Sequence, residues 1–249
     1  MKRAASDDGP LASSQGEERN RFLDALPPDV RAELIDRGQR VAVECNEVIA
    51  ERDAPIRAVY FPYRGAISEI EEMWDGGAAE VTVVGDEGLS PIEALLDEPL
   101  EQRRRLVQIA TVSLAVPVAD ALALRDRSEA LRKLVRRYAV ASLRVSGIGL
   151  ACNARHSATV RLARWLLRMH DRAHDDHFRL THEVSAIMLG VRRPTVTLAI
   201  ADLAASGAIA SARGAVQVVD RVKLESLTCR CYHEGRTAMD RVYGTPAGS

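Results

Sequence analysis

Two arginines stand in a break between apolar runs. In "RLTHEVSAIMLGVRRPTVTLAIADLAASG" Arg192 and Arg193 lie between Gly190 and Pro194, with Thr195 and Thr197 close behind. A guanidinium offers a planar fork of donors that matches the guanine edge or two phosphate oxygens. Threonine hydroxyls bond phosphates, and their methyl groups touch thymine. Other reactive residue types form weaker patterns. His170, His174, His177 and His182 lie among Asp171, Asp175 and Asp176. His170 and His174 are one helical turn apart, but no His-Glu-x-x-His pattern and no third ligand at fixed spacing accompanies them. The stretch reads as a solvated polar connector. Cys229-Arg230-Cys231 lacks the two-residue spacer of the usual redox and zinc pairs, and His233 adds one donor. Idle thiols are the preferred reading, so no metal is assigned. No Ser-His-Asp or Cys-His arrangement and no glycine-rich phosphate loop is readable, and no enzyme or cofactor is indicated.

The arginines have a task only if the flanking elements hold them outward. Thr181 is a suitable N-cap, and Glu183 in the first turn suits the helix dipole. That helix ends at Leu189, where Gly190 accepts a left-handed conformation. A second helix begins at Pro194, whose missing N–H costs nothing in a first turn. Val196, Ala199, Ile200 and Leu203 fall on its buried face, leaving Arg193, Thr195, Thr197, Leu198 and Ala201 free. Two short helices joined by a tight glycine turn are a helix-turn-helix, whose second helix enters the major groove by its N-terminal part. "GAIASARGAVQVVD" follows as a β-hairpin with Arg213 at its tip, completing a winged form. The expected contacts to double-stranded DNA are therefore Arg192, Arg193, Thr195, Thr197, Thr181, His182 and Arg213.

The remaining chain must carry this module. Of 249 residues, 47% are hydrophobic and 28% charged, which suits two modest globular domains. Residues 151–249 hold 14 Lys and Arg against 9 Asp and Glu, while the preceding 150 hold 20 against 26. A basic C-terminal third on a near-neutral chain fits a local nucleic-acid contact. No apolar run reaches membrane-spanning length, no secretory leader opens the chain, and four scattered cysteines suit a reducing cytoplasm. Residues 1–20 read as a disordered tail. Short β-rich runs with turn residues between them over 21–118 suggest an antiparallel barrel or jelly roll, making the fold class α+β. Residues 119–152 read as one long helix. Its stripe of Leu131, Leu134, Val135, Tyr138, Ser142, Val145 and Ile148 suggests a seam between two copies. Residues 153–227 hold the winged helix-turn-helix, and 228–249 a C-terminal extension without assigned role.

With this order of parts, the chain resembles the Crp/Fnr family of bacterial transcription regulators. "VYFPYRGAIS" and "VVGDEGLS" are similar to the strands and glycine turn of the family's cyclic-nucleotide-binding barrel. "CNARHSATVRLARWLLRMHDR" and "LTHEVSAIMLGVRRPTVT" are similar to its DNA-binding domain. The resemblance implies a homodimer that places two recognition helices on a palindrome, and contact with RNA polymerase in an activator. It also implies an effector site at Gly85, Asp86, Gly88, Arg104 and Arg105. Members that bind cyclic AMP use Gly-Glu and an arginine followed by Ser or Thr. Here Gly85-Asp86 stands in the first place, and Leu106 follows the arginines, which argues against a cyclic nucleotide. Cys45 alone in the N-terminal half argues against an iron–sulfur cluster, while haem, needing a single His or Cys, stays open. Pro194 replaces a frequent acid and Leu198 a frequent second arginine, so the operator is expected to rest more on DNA shape. The rival readings are a ligand-binding or scaffold module whose helix-turn-helix contacts protein, and a metal hydrolase built on the histidines.

Overall fold

The computed structural model describes residues 19–212 and 214–244. Arg213 and most of the expected tail therefore lie outside the described residues. Asn20, placed in that tail by its sequence context, is buried instead. Its side chain caps helix α1 (Arg21–Asp24) by accepting from the N–H groups of Phe22 and Leu23, and it donates to the carbonyls of Pro62 and Gly88. Such a fully bonded buried amide is a fixed part of the fold. Helix α2 (Pro28–Arg37) follows, with proline in its first turn.

The N-terminal sheet has strands β1 (Gln39–Val43), β2 (Val48–Ala50), β3 (Ala58–Glu72), β4 (Ala78–Val84) and β5 (Arg104–Pro117). All pairings are antiparallel, in the order β1-β5-β3-β4, with β2 also on β5. Where several short strands are expected, two are long, and the β3–β5 register shifts at Pro62/Arg64, Arg64/Ala66 and Ala66/Ile67. Bulges of this kind bend a long ladder, which is how two strands wrap a core. Gly65 sits inside β3 at φ +84, where a Cβ would meet the backbone of Ala110 and Thr111.

The expected single helix over 119–152 is two helices. α3 (Val118–Arg127) and α4 (Glu129–Arg155) meet at Ser128, which has extended backbone and accepts from the Leu131 N–H as the N-cap of α4. The α4 stripe also faces elsewhere than expected. Leu131, Leu134, Val135 and Tyr138 are buried in their own subunit, in one core with Phe22, Phe61 and Leu89. Tyr138 meets Phe22 edge-to-face at 5.6 Å, and its hydroxyl donates to the Leu89 carbonyl. Ser142, Val145 and Ile148 continue that face and line a cavity. Of the seven residues assigned to a seam, the first four are thus taken up by intramolecular packing, and Ser142, Val145 and Ile148 are half-buried. Periodicity shows which residues share a face and not what covers it. The opposite face leaves Val140, Leu143 and Leu150 exposed by 67%, 74% and 73%.

The C-terminal module begins with α5 (Ala158–Ala173). It continues through β6 (His177–Arg179), α6 (His182–Leu189), α7 (Arg193–Ala205), β7 (Ile209–Ala212) and β8 (Ala215–Val218). The expected polar connector contains β6, which pairs with β8 in a sheet ordered β6-β8-β7. This module shares its core with the N-terminal sheet: Leu162, Leu166, Met169, Val196 and Leu203 pack in one cluster with Ala66, Ile70 and Val83. Polar ties reinforce the joint. Trp165 Nε1 donates to Glu80 at 3.2 Å, and Arg172 pairs with Glu87 at 2.6 Å. After α8 (Arg221–Ser226), the extension forms α9 (Cys231–Asp240), which lies along α4.

Candidate nucleic-acid interface

The local signals around the arginine break act as their chemistry requires. Thr181 Oγ1 accepts from the Val184 N–H at 3.1 Å, opening α6. Gly190 sits at φ 59, ψ 43, its N–H directed to the Ala186 and Ile187 carbonyls, while Val191 N–H also reaches Ala186. This closes α6 and turns the chain by 103° into α7, within the range of helix-turn-helix pairs. Pro194 occupies the first turn of α7.

The two faces of α7 separate as the sequence predicts. Val196, Ala199, Ile200 and Leu203 are buried, and Arg193, Thr195, Thr197, Leu198 and Ala201 are exposed. Arg192 and Thr181 are exposed beside them, and His182 is half-buried. The Thr197 hydroxyl lies 3.1 Å from both His182 Nδ1 and the Arg193 carbonyl, so it ties the starts of the two helices together. One projecting helix start thus presents two guanidiniums, two hydroxyls and the apolar Leu198. That surface fits the floor of a major groove: forked donors for bases and phosphates, and a hydrocarbon for thymine methyls. The β7–β8 hairpin stands beside it.

The expected effector set does not assemble. Arg105 is fully buried among carboxylates: its Nε is 2.9 Å from Ser90 Oγ, its Nη2 is 3.2 Å from Glu93, and Nη1 pairs with Glu101. Glu69 adds a contact at 3.6 Å, its own carboxyl pushed up by burial and pulled back by Arg105. Arg104 is engaged by Glu72 at 3.1 Å. A phosphate entering here would displace carboxylates from a buried charge. Gly85 and Gly88 are small for packing reasons, since a Cβ would stand 2.6 Å from Arg172 Cγ and 2.0 Å from the Tyr138 hydroxyl. Asp86 alone of the set lines a cavity.

That cavity, of about 310 Å³, lies where β4 and the following turn meet α4, α5 and α9. Its wall includes five arginines and five carboxylates, together with the Val145 and Ile148 side chains. Burial pulls Arg168 down to about 10, still far above neutrality, so it remains cationic opposite Glu80 at 3.8 Å. No local pattern in the sequence marks this site, because its charges come from elements distant in the chain.

The thiols are also rearranged relative to expectation. His233 is exposed, and Cys229 and Cys231 instead meet Cys152 and His156 from the last turn of α4. Burial pushes the Cys152 thiol up to about 12. The clustered histidines divide between uses: His170 bridges Asp176 at 2.7 Å and Arg221 at 2.6 Å, while His174 faces Asp86 at 3.4 Å. No metal-type set forms from these histidines among the described residues.

Residues 160–227 match the family model of the Crp-like helix-turn-helix domain. No curated protein matches the sequence. Solved structures do. FixK2 of Bradyrhizobium japonicum is 19% identical with a TM-score of 0.65, over 77% of this chain and 98% of its own. A CRP-family transcriptional regulator of Thermus thermophilus is 22% identical with a TM-score of 0.62, over 75% and 95%. The c-di-GMP responsive regulator CLP of Xanthomonas campestris is 15% identical with a TM-score of 0.61, over 77% and 99%. At these identities the likeness establishes the fold. No single helix among the described residues is long and apolar enough to cross a membrane.

Proposed function

We propose that this chain, which has the fold of Crp/Fnr regulators and carries a Crp-like helix-turn-helix domain, is a dimeric, sequence-specific DNA-binding transcription regulator and not an enzyme. One observation carries the reading. A recognition helix closed behind by a fully buried face projects Arg193, Thr195, Thr197 and Leu198, with Arg192 at its start. An arginine at the helix start reaches a guanine edge, and its neighbour at the N-cap meets the backbone phosphate. Two copies joined through α4 set two such helices on one face of a palindromic operator. The seam is the exposed face, Val140, Leu143 and Leu150, in place of the buried stripe. These residues follow three- and four-residue steps through Gly147, where a Cβ would meet nothing.

The effector is a small polar molecule held in the cavity between β4, α4 and α5, or there is none. A ligand there touches both the sheet and the helix that carries the DNA-binding module. Its binding shifts the module only to the extent that it prefers one arrangement over the other. Contact with RNA polymerase follows if the regulator activates.

The alternative, a module whose helix-turn-helix binds protein, is separated by base-resolved binding of two variants. Arg193→Ala is expected to lose about 1–3 kcal/mol and to relax preference at one base position. Arg192→Ala is expected to weaken all sequences alike and reduce the salt dependence by about one ion. Equal DNA binding by both variants and the parent refutes the assigned interface.

A further inference from the structure

We propose that Cys152, His156, Cys229 and Cys231 form a zinc site that fastens the C-terminal extension to the end of α4. The four donor atoms all lie within 4.8 Å of one another. Cys152 Sγ stands 3.5 Å from Cys229 Sγ, and Cys231 Sγ stands 4.0 Å from His156 Nδ1. A tetrahedral zinc with about 2.3 Å to sulfur and about 2.0 Å to nitrogen has ligand–ligand edges of roughly 3.5–3.8 Å. The set is therefore no more than about 1.3 Å wider than the coordinated geometry on any edge. Three thiolates and an imidazole are one of the usual structural zinc sets, complete without water.

The placement is specific. Cys152 and His156 are four residues apart, so the final turn of α4 presents both on one side, with His156 as its C-cap. Cys229 and Cys231 arrive 77 and 79 positions after Cys152, at the entry to α9. All four cysteines of the chain are free, and these three account for all but Cys45. A second observation supports a ligand. Arg164 is 8% exposed, and its Nε is buried without a hydrogen-bond partner. Its charge acts on both Cys152 and Cys231. Three thiolates on one zinc leave a single net negative charge, which the nearby Arg164 guanidinium offsets. On binding, each thiol gives its proton to solvent and no electron is transferred.

The site bridges the two segments that flank the DNA-binding module. α4 leads into that module and α9 leaves it, so the metal fixes the module's entry and exit together. This assignment does not depend on the DNA-binding reading.

The test uses the full-length protein, reduced and stripped of metal, titrated with cobalt(II) and then zinc(II). Saturation at one cobalt per chain, with the intense visible bands of a tetrahedral thiolate complex that zinc bleaches, is expected. Cys152→Ser and Cys229→Ser are expected to lose those bands, and His233→Ala to keep them. Because a serine variant can lose the bands by unfolding, the unmodified protein supplies an independent reading. Its melting temperature should rise by several degrees on adding zinc and fall back with chelator. Three results overturn the proposal: no tetrahedral band with the unmodified protein, bands that survive in Cys152→Ser and Cys229→Ser, or an iron–sulfur absorption in place of bound zinc.

Discussion

Replacing Leu143 with aspartate separates the two faces of α4. Leu143 is 74% exposed in the isolated subunit, flanked along the helix by Val140 at 67% and Leu150 at 73%. Full burial of a leucine is worth about 1.5–3 kcal/mol, so Leu143 has about 1–2 kcal/mol left to gain in a seam. A twofold seam forfeits that gain twice and brings two carboxylates together, a loss of about 3–5 kcal/mol in association. At about 1.4 kcal/mol per factor of ten, dimerisation weakens by about 10²–10⁴-fold. The subunit itself should be untouched, because the site is already solvated. Leu134→Asp makes the opposite prediction. At 6% exposure it puts a carboxylate into the subunit core, costing on the order of 4 kcal/mol of folding stability. Sedimentation equilibrium and thermal unfolding read the two effects separately. Leu143→Asp should give a folded monomer with an unchanged melting point, and Leu134→Asp a marked loss of stability. A folded, stable monomer from Leu134→Asp, with Leu143→Asp still dimeric, refutes the assignment of faces.

Two further outcomes follow from the buried charges. Arg105→Gln should cost about 3–5 kcal/mol of stability by leaving Glu69, Glu93 and Glu101 without their central cation, read as a lowered denaturant midpoint. An unchanged midpoint means the cage is not holding the sheet together. Millimolar cyclic AMP should leave the melting temperature unmoved, since Arg105 is already saturated with carboxylates; a ligand at about 100 times its Kd would add about 2.7 kcal/mol and reveal itself clearly.

What the sequence discloses depends on how local the determining physics is. Thr181, Gly190 and Pro194 cap, turn and restart helices through their own backbone and side-chain chemistry, so both faces of α7 are readable residue by residue. Ser128 carries the same kind of signal, but helix-forming residues on both sides of it conceal the break. The strand β6 is three residues long and is defined by its partner β8, which no local pattern shows. The orientation of α4 is beyond reach for a related reason: Tyr138 is fixed by Phe22, Gly88 and Leu89, all far away in sequence. Arg105 matches a motif position, yet its role is set by Glu69, Glu93 and Glu101 folding around it. The thiols show the same limit. Cys229 and Cys231 are visible as a pair, but Cys152 and His156 join them only through the packing of α9 on α4.

The central claim is that α7 reads DNA in a symmetric pair. The direct measurement is selection of random double-stranded DNA by the full-length protein, followed by sequencing of what is retained. A symmetric pair of recognition helices should enrich a palindrome whose half-sites lie about one helical turn apart, and Arg193→Ala should lose it. Retained DNA with no common sequence, or a motif that Arg193→Ala enriches equally, contradicts the claim.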